Sequence, residues 1–385
     1  MDSRLSKNAG LRILMIAPQP WFQPRGTPFS VLHRIKALSL LGHTIDLVTY
    51  PIGQNIAIDG LAIHRTRKPL FLRQVKIGPS AVKILLDILL YRKTIDLLQK
   101  NQYDYLHTHE EASFFGVPLA KRFGLPHLYD MHSSLPQQLQ NFKFSNSRLL
   151  RGLFERLERN TIENSAAVIT ICPELQDYIQ KHFPRKTSLL IENVADNSVV
   201  FPSTADKEEI LRQQFQIPNK TIILYYGTFE TYQGLDMLID SAREVAARQR
   251  NDIHFLLVGG SEQQVAAYRS RISKLGLAEF FTLTGFVQPE LIPSFISLCQ
   301  VLISPRLQGT NSPLKIYSYL RSGKPIIATR HITHTQILND SVSVLAEPHP
   351  EPFAEAILAL CDDPKKQSRL VTAARQLAEK HYSYD

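Results

Sequence analysis

Two cations flank a glycine-containing loop in the second half of the chain, and that arrangement points to chemistry on an anion. Arg306 follows the apolar run VLISP (301–305), and Lys315 lies just inside the amphipathic stretch PLKIYSYLRSG, which begins at Pro313. Between them stand Gly309, Thr310 and Asn311. A strand, a turn and a helix in that order leave unpaired backbone N–H groups at the helix start. With two side-chain cations beside them they form a cradle for a diphosphate. Proline suits the first turn of such a helix, where its missing N–H has no partner to lose. The whole stretch from Ser304 to Thr329 carries no Asp or Glu.

Other strand-to-helix turns supply further candidates. After LRILMIA (11–17) comes a Pro- and Gly-containing loop in which Arg25 and Gly26 are placed to meet a phosphate or sugar. In YYGTFETYQGLDMLIDSA, Gly227 ends a strand and Gly234 opens a helix, with Thr228, Glu230 and Gln233 between them. Glu230 reads either as a ligand contact or as a carboxylate favoured by the helix dipole. Gly259 in VGGS (258–261) marks another helix start. The first of these loops is not GxGxxG, which disfavours a dinucleotide cofactor. His132, just beyond the apolar run PHLYDM and followed by Ser133 and Ser134, is the histidine placed for chemistry. His107 and His109 in YLHTHEE are expected to separate to opposite faces of their strand, so that at most one serves the site. No third ligand follows them at metal-binding spacing, and no metal is expected.

Positioning these residues takes buried strands alternating with amphipathic helices, and the sequence shows that alternation from end to end. LRILMIA, TIDLVTY, LAIHRT, YDYLHTH, PHLYDMH and AAVITI read as strands. Between the first two, Val31, Leu32, Ile35, Leu38 and Leu41 recur at helical spacing until Gly42. A second series starts at TIILYYG (221–227) and runs through IHFLLVGG, FFTLTG, VLISP and KPIIAT. The polar segment PSTADKEEILRQQFQIPNK (202–220) separates the two series. The expected fold class is α/β, with two doubly wound Rossmann-like domains, residues 1–200 and 201–385, facing each other across a cleft that holds the site.

At 385 residues the chain is long for a single core. Its 44% hydrophobic and 21% charged residues describe an ordinary globular protein. No uninterrupted apolar run reaches transmembrane length, the N-terminus MDSRLSKNAG has no apolar signal core, and the cysteines are scattered. The expectation is a soluble, cytoplasmic protein. A formal net charge of +9 favours anionic partners. No zinc finger, aromatic-rich RNA-binding strand or basic recognition helix is present, which sets nucleic acid aside. The stretch HRTRKPLFLRQVKIGPSAVKILLDILLYRKTIDLLQK (64–100) interleaves basic and apolar residues. It reads as a peripheral contact with anionic lipid at the inner face of a membrane, or as an ordinary helix packed on the sheet.

Taken together, LRILMIAP…RGTPFSVLHRIKALSLLGHTIDLVTY, NVADNSVVF, ILYYGTFETYQGLDMLIDSA, FLLVGG, LTGFV and PLKIYSYLRSGKPIIAT resemble, in order and spacing, family 4 of the retaining nucleotide-sugar glycosyltransferases, which have the GT-B fold. The resemblance covers nearly the whole chain. It implies transfer of a sugar from a nucleoside diphosphate sugar to a polysaccharide, glycolipid or lipid-linked acceptor, with retained configuration and with neither metal nor cofactor. It also implies an acceptor-binding N-terminal domain and a donor-binding C-terminal domain. His132 matches the family's histidine near the anomeric carbon, Gly26 the glycine of the first loop, and Lys315 a lysine in members reading P-x-K-x-x-E-Y. Where the family often carries a pair of glutamates, this chain has Thr310 and Ser318. The second glutamate ordinarily holds the ribose, and Ser318 offers only an uncharged hydrogen bond. The family's Arg and Lys in the first C-domain loop are replaced by Thr228 and Gln233, and Arg306 is expected to supply the missing charge. Catalysis is thus expected of His132, Arg306 and Lys315. The lost carboxylates leave two other readings open, a catalytically silent sugar-nucleotide-binding protein and a GT-B-fold epimerase.

Overall fold

In the computed structural model, residues 10–22, 26–73, 75, 80–134, 148–194 and 205–384 are described. The chain divides into two compact units, Met1–Asn193 and Val194–Asp385. Residues 195–204, in and beside the segment expected to separate the domains, lie outside the described residues, and the helix Ala205–Phe215 follows them.

The first unit holds seven strands: β1 (Arg12–Ala17), β2 (Thr44–Thr49), β3 (Leu61–Arg65), β4 (Tyr105–His109), β5 (His127–Met131), β6 (Ala167–Thr170) and β7 (Ser188–Leu190). They pair in parallel in the order 3-2-1-4-5-6-7. All of β1 except Arg12 is buried, as a strand covered by helices on both faces must be. The order reverses between β1 and β4, which are direct neighbours with Met15 opposite His107. Connections leave such a pair in opposite directions, so their loops part at the carboxyl ends and open a place for a ligand. Gly26–Leu40 is the helix after β1, and the short 3-10 turn Glu110–Ala112 follows β4.

Six strands form the second unit's sheet: β8 (Thr221–Tyr226), β9 (Ile253–Val258), β10 (Phe281–Gly285), β11 (Val301–Ser304), β12 (Ile326–Thr329) and β13 (Val344–Ala346), in the order 10-9-8-11-12-13. All pairings are parallel, and the reversal falls between β8 and β11. The helix Leu235–Ala247 buries Leu235, Leu238, Ile239, Ala242 and Val245, a spacing that lays one stripe on the sheet. The α/β expectation holds, and each strand read from the sequence forms. The edge strands β7 and β13, three residues each, are too short to show a period and were not anticipated. Among the described residues, no helix is long and apolar enough to cross a membrane.

Buried histidines brace these sheets. The His127 ring meets Thr108 on β4 at 2.7 Å and Ser165 at 2.9 Å. His254 meets Thr282 on β10 at 2.9 Å, and His334 meets Ser304 at 2.8 Å and Thr329 at 3.0 Å at the ends of β11 and β12. Burial disfavours the imidazolium and lowers His127 and His254 to about 4 and His334 to about 3. In the unfolded chain each takes a proton near its ordinary value of about 6.5, so between those values the unfolded state binds more protons than the folded one. Their contribution to stability is complete above about pH 6.5 and is lost as the pH falls toward 4. The urea midpoint is expected to hold between about pH 8 and 7, then to fall by the order of several kcal/mol of stability down to about pH 4.5. A flat profile would mean that these rings charge without cost in place.

Candidate functional site

The loops at the reversal point of the second sheet bring Lys315, Gln233 and Thr228 together. Lys315 sits in the first turn of the helix Leu314–Arg321. Its Nζ lies over the ring of fully buried Tyr225 on β8, 3.9 Å from the centroid, and donates to Gln233 Oε1 at 3.4 Å. Gln233 Nε2 reaches Thr228 Oγ1 at 3.5 Å, and the Tyr225 hydroxyl donates to the Thr228 carbonyl at 2.6 Å. Arg306, just past β11, lies over the Tyr232 ring at 5.2 Å, and its Nε donates to the Gln308 carbonyl at 2.7 Å. Among the described residues, no carboxylate is paired with either cation. Burial holds the Lys315 ammonium well below the usual lysine range, and the Arg306 charge lowers it further. Burial lowers Arg306 as well. Next to them Ser312 Oγ is buried without a hydrogen-bond partner. Polar groups left in this state are typical of a place completed by a ligand.

Close backbone approaches set this geometry. Gly234 has φ +75, and a Cβ there would lie 2.0 Å from the Pro305 carbonyl oxygen, so the loops after β8 and β11 touch through glycine. A Cβ on Gly309 would lie 2.3 Å from Arg306 Nη2, which places the guanidinium directly on that glycine. Gly259 N–H donates to the Gly285 carbonyl at 2.9 Å, and its Cα faces Gly227. From behind, Thr329 Oγ1 donates to the Arg306 carbonyl and is itself held by His334. Tyr225 and His334 were not singled out from the sequence; the first sits in an ordinary apolar strand pattern, and the second contacts the site only through Thr329. The remaining candidates take other partners. Glu230 is exposed and accepts from Gln264 Nε2 at 3.1 Å. Thr310 Oγ1 lies 3.4 Å from Asn311 Oδ1, and the Thr310 carbonyl accepts from Gln336 at 2.7 Å. Ser318 shares a side-chain hydrogen bond with Tyr226.

The first unit gathers His107, His109 and His132 around one buried carboxylate. Arg34 Nε donates to Asp130 Oδ2 at 2.9 Å, with Asp130 fully buried. His107 Nε2 lies 3.4 Å from Oδ2, His132 Nε2 3.4 Å from Oδ1, and His109 Nδ1 2.9 Å from His132 Nε2. The expected separation of His107 and His109 does not occur. Residues two apart in a strand share a face, and the rings stack 4.7 Å apart at 21°. Burial acts against the Asp130 anion, but Arg34 and then His132 outweigh it and hold the carboxyl well below its ordinary range. Burial lowers His132 to about 4 and His109 well below its usual value. At neutral pH the group is therefore an Arg34–Asp130 ion pair ringed by neutral imidazoles His109 and His132.

The donor atoms of His107, His109 and Asp130 lie within 4.8 Å of one another, so a third donor is present that the spacing within β4 could not reveal. The Arg34 guanidinium already neutralises that carboxylate, and a metal cation there would meet a like charge at short range. Gly26 begins its helix as expected, while Arg25 lies outside the described residues. Glu110, directly after β4, was passed over. It has φ +47 and accepts from Thr27 Oγ1 at 3.2 Å; burial and the Glu111 charge push its carboxyl up. Removing one partner of the buried ion pair leaves the other uncompensated. Asp130→Ala is expected to cost about 3–5 kcal/mol in urea unfolding, and Arg34→Met in the same chain to recover most of it. Equal losses in the single and double variants would show that the pair is not what Asp130 contributes.

Residues 206–377 match the family described as Glycosyl transferases group 1, and residues 24–199 match Glycosyltransferase Family 4. The chain is 24% identical to the alpha-D-kanosaminyltransferase of Streptomyces kanamyceticus, over 71% of its own length and 70% of the relative's. It is 23% identical to the mannosylfructose-phosphate synthase of Agrobacterium fabrum, over 78% and 70%. Among solved structures, sucrose-phosphate synthase from Thermosynechococcus elongatus superposes with a TM-score of 0.76 at 19% identity, covering 97% of this chain and 95% of that one. HepE from Anabaena, in complex with UDP, gives 0.73 at 16% identity, covering 97% and 96%. These likenesses make the fold GT-B. With a parallel doubly wound sheet in each unit and both family matches in order along it, the chain belongs to the family 4 glycosyltransferases and is a nucleotide-sugar-dependent transferase.

Proposed function

We propose that this enzyme moves a sugar from a nucleoside diphosphate sugar to a hydroxyl of a glycan or lipid-linked acceptor with retention at the anomeric carbon, and that Arg306 and Lys315 take the charge of the diphosphate. The donor belongs to the second unit on this reading and the acceptor to the first. The observation that carries it is the Lys315 ammonium, half-buried on the face of the Tyr225 ring with no carboxylate beside it among the described residues. A cation in that state is destabilised in the empty protein and gains most from an anionic ligand. Thr228, Gln233 and the backbone N–H groups beyond Gly309 complete the set of donors. In the step itself, the bond from the anomeric carbon to the diphosphate oxygen breaks. A bond from the acceptor oxygen forms on the same face, and the acceptor's proton passes to the leaving phosphate oxygen. No protein carboxylate and no metal is required for that balance. What lowers the barrier is stabilisation of the charge that develops on the leaving group. His132, kept neutral because burial lowers it to about 4, is suited to a hydrogen bond with the donor sugar that adds no charge.

HepE is seen with UDP, so uridine diphosphate sugars head the donor panel. The basic surface of the chain fits an enzyme working in the cytoplasm at the inner face of a membrane. A thermal-shift screen over UDP-, GDP-, ADP- and dTDP-sugars is expected to single out a donor by the rise in Tm that it causes. With that donor, Arg306→Ala should lower kcat by about 10²–10³-fold at an unchanged Tm. Unchanged transfer would sink the assignment. Lys315→Met separates function from stability. Removing a half-buried cation that has no counter-ion should raise the Tm of the ligand-free protein while abolishing the rise caused by the donor. A lower Tm in that variant would make Lys315 a structural prop and end the cradle reading.

A further inference from the structure

Residues 64–100 hold nine Lys and Arg against two Asp, a net +7 out of the chain's +9. The helix Ala81–Lys100 within this segment is apolar on two sides. Leu86, Leu90, Leu97 and Leu98 enter the core of the first unit. Ile84 and Ile88 are 65% and 46% exposed, and Val82, Leu85 and Tyr91 are exposed with them. A surface helix ordinarily carries polar residues on that side. Leu72 is buried in the same core cluster as Leu86 and Leu90, and its chain neighbours Leu70 and Phe71 are 106% and 64% exposed. In the same segment, Arg67, Lys68, Arg73 and Arg92 are exposed. The acids of the segment are occupied: Asp87 accepts from the Tyr50 hydroxyl at 2.5 Å, and Asp96 pairs with Lys100 and Lys93.

We propose that this face docks on an anionic lipid bilayer, with Leu70, Phe71, Ile84 and Ile88 entering the headgroup boundary and Arg67, Lys68, Arg73 and Arg92 meeting lipid phosphates. Exposed apolar side chains interleaved along one segment with exposed cations fit that surface on both counts. A second copy of the chain fits less well, because a two-fold contact would set one +7 segment against another. The inference is independent of the transfer reading, since it needs no donor and no acceptor.

The test is sedimentation with vesicles of phosphatidylcholine alone and of phosphatidylcholine with phosphatidylglycerol. Binding is expected only to the second and should weaken with added salt. The variants Ile84→Glu/Ile88→Glu and Arg67→Glu/Lys68→Glu alter exposed residues. Each should lower partitioning at least about tenfold while leaving the Tm and the donor-induced thermal shift unchanged. Absence of binding to either vesicle, equal binding to both, or binding untouched by both variants would overturn the proposal. So would a dimer dissociated by the isoleucine variant in a protein that ignores vesicles, which would assign the face to a second copy. The donor shift, read on the same samples, tells failure of docking from failure of the transfer reading.

Discussion

An ammonium group half-buried on an aromatic ring with no carboxylate beside it is costly for a fold to hold, and the second unit places Lys315 in that position. Lys315 is kept in place by the face of the Tyr225 ring and a long contact to Gln233, which together recover only part of what hydration would supply. The rest of the local structure keeps that geometry from relaxing. Gly234 lets the loop after β8 rest on the backbone of Pro305, Gly309 seats the Arg306 guanidinium, and the His334–Thr329 pair ties down the Arg306 carbonyl. Each contact is small, but together they fix the backbone of the loop that carries Arg306 and its approach to the loop after β8. A site rigid in this sense loses little entropy when an anion arrives.

The first unit uses the same sheet plan and treats buried charge in the opposite way. Its carboxylate, Asp130, is matched in place by Arg34, with His107 Nε2 in hydrogen-bond contact and the neutral His109 and His132 rings beside it. A compensated group of this kind has little to gain from a ligand. His132, held at its edge by His109, is therefore oriented more than it is activated. The uncompensated positive charge near a strand-to-helix turn therefore lies in the second unit, whereas the buried charge of the first is already paired.

Most of the fold was legible because its strands are covered on both faces. Such strands read as unbroken apolar runs, and the helices between them bury a single stripe, so Leu235–Ala247 and Gly26–Leu40 stand out at their 3.6 period. Three-residue edge strands escape because no period fits within them. The loop residues Arg306, Lys315, Thr228 and Gln233 could be picked out from their places after strands. Their supports could not. Tyr225 looks like any strand residue until a cation lies on its ring, and Asp130 becomes the centre of a network only when β5 is laid beside β4. The stacking of His107 on His109 was a different matter. Strand geometry alone dictates it, and the expectation of opposite faces had the period wrong.

The missing carboxylates and the uncompensated cations are two sides of one fact. Position 318 lies one helical turn beyond Lys315, and side chains three apart on a helix stand about 5–6 Å from each other. A glutamate there would be a near counter-ion for the Lys315 ammonium. The same would hold for a carboxylate at position 310, in the loop that carries Arg306. With Thr310 bonded to its neighbours and Ser318 to Tyr226, neither position neutralises anything. Exchanging carboxylates for hydroxyls therefore does more than weaken a contact with the sugar part of a nucleotide. It raises the positive potential at the place where a diphosphate would lie, so what is lost in hydrogen bonding at one end of such a ligand is offset by stronger attraction at the other.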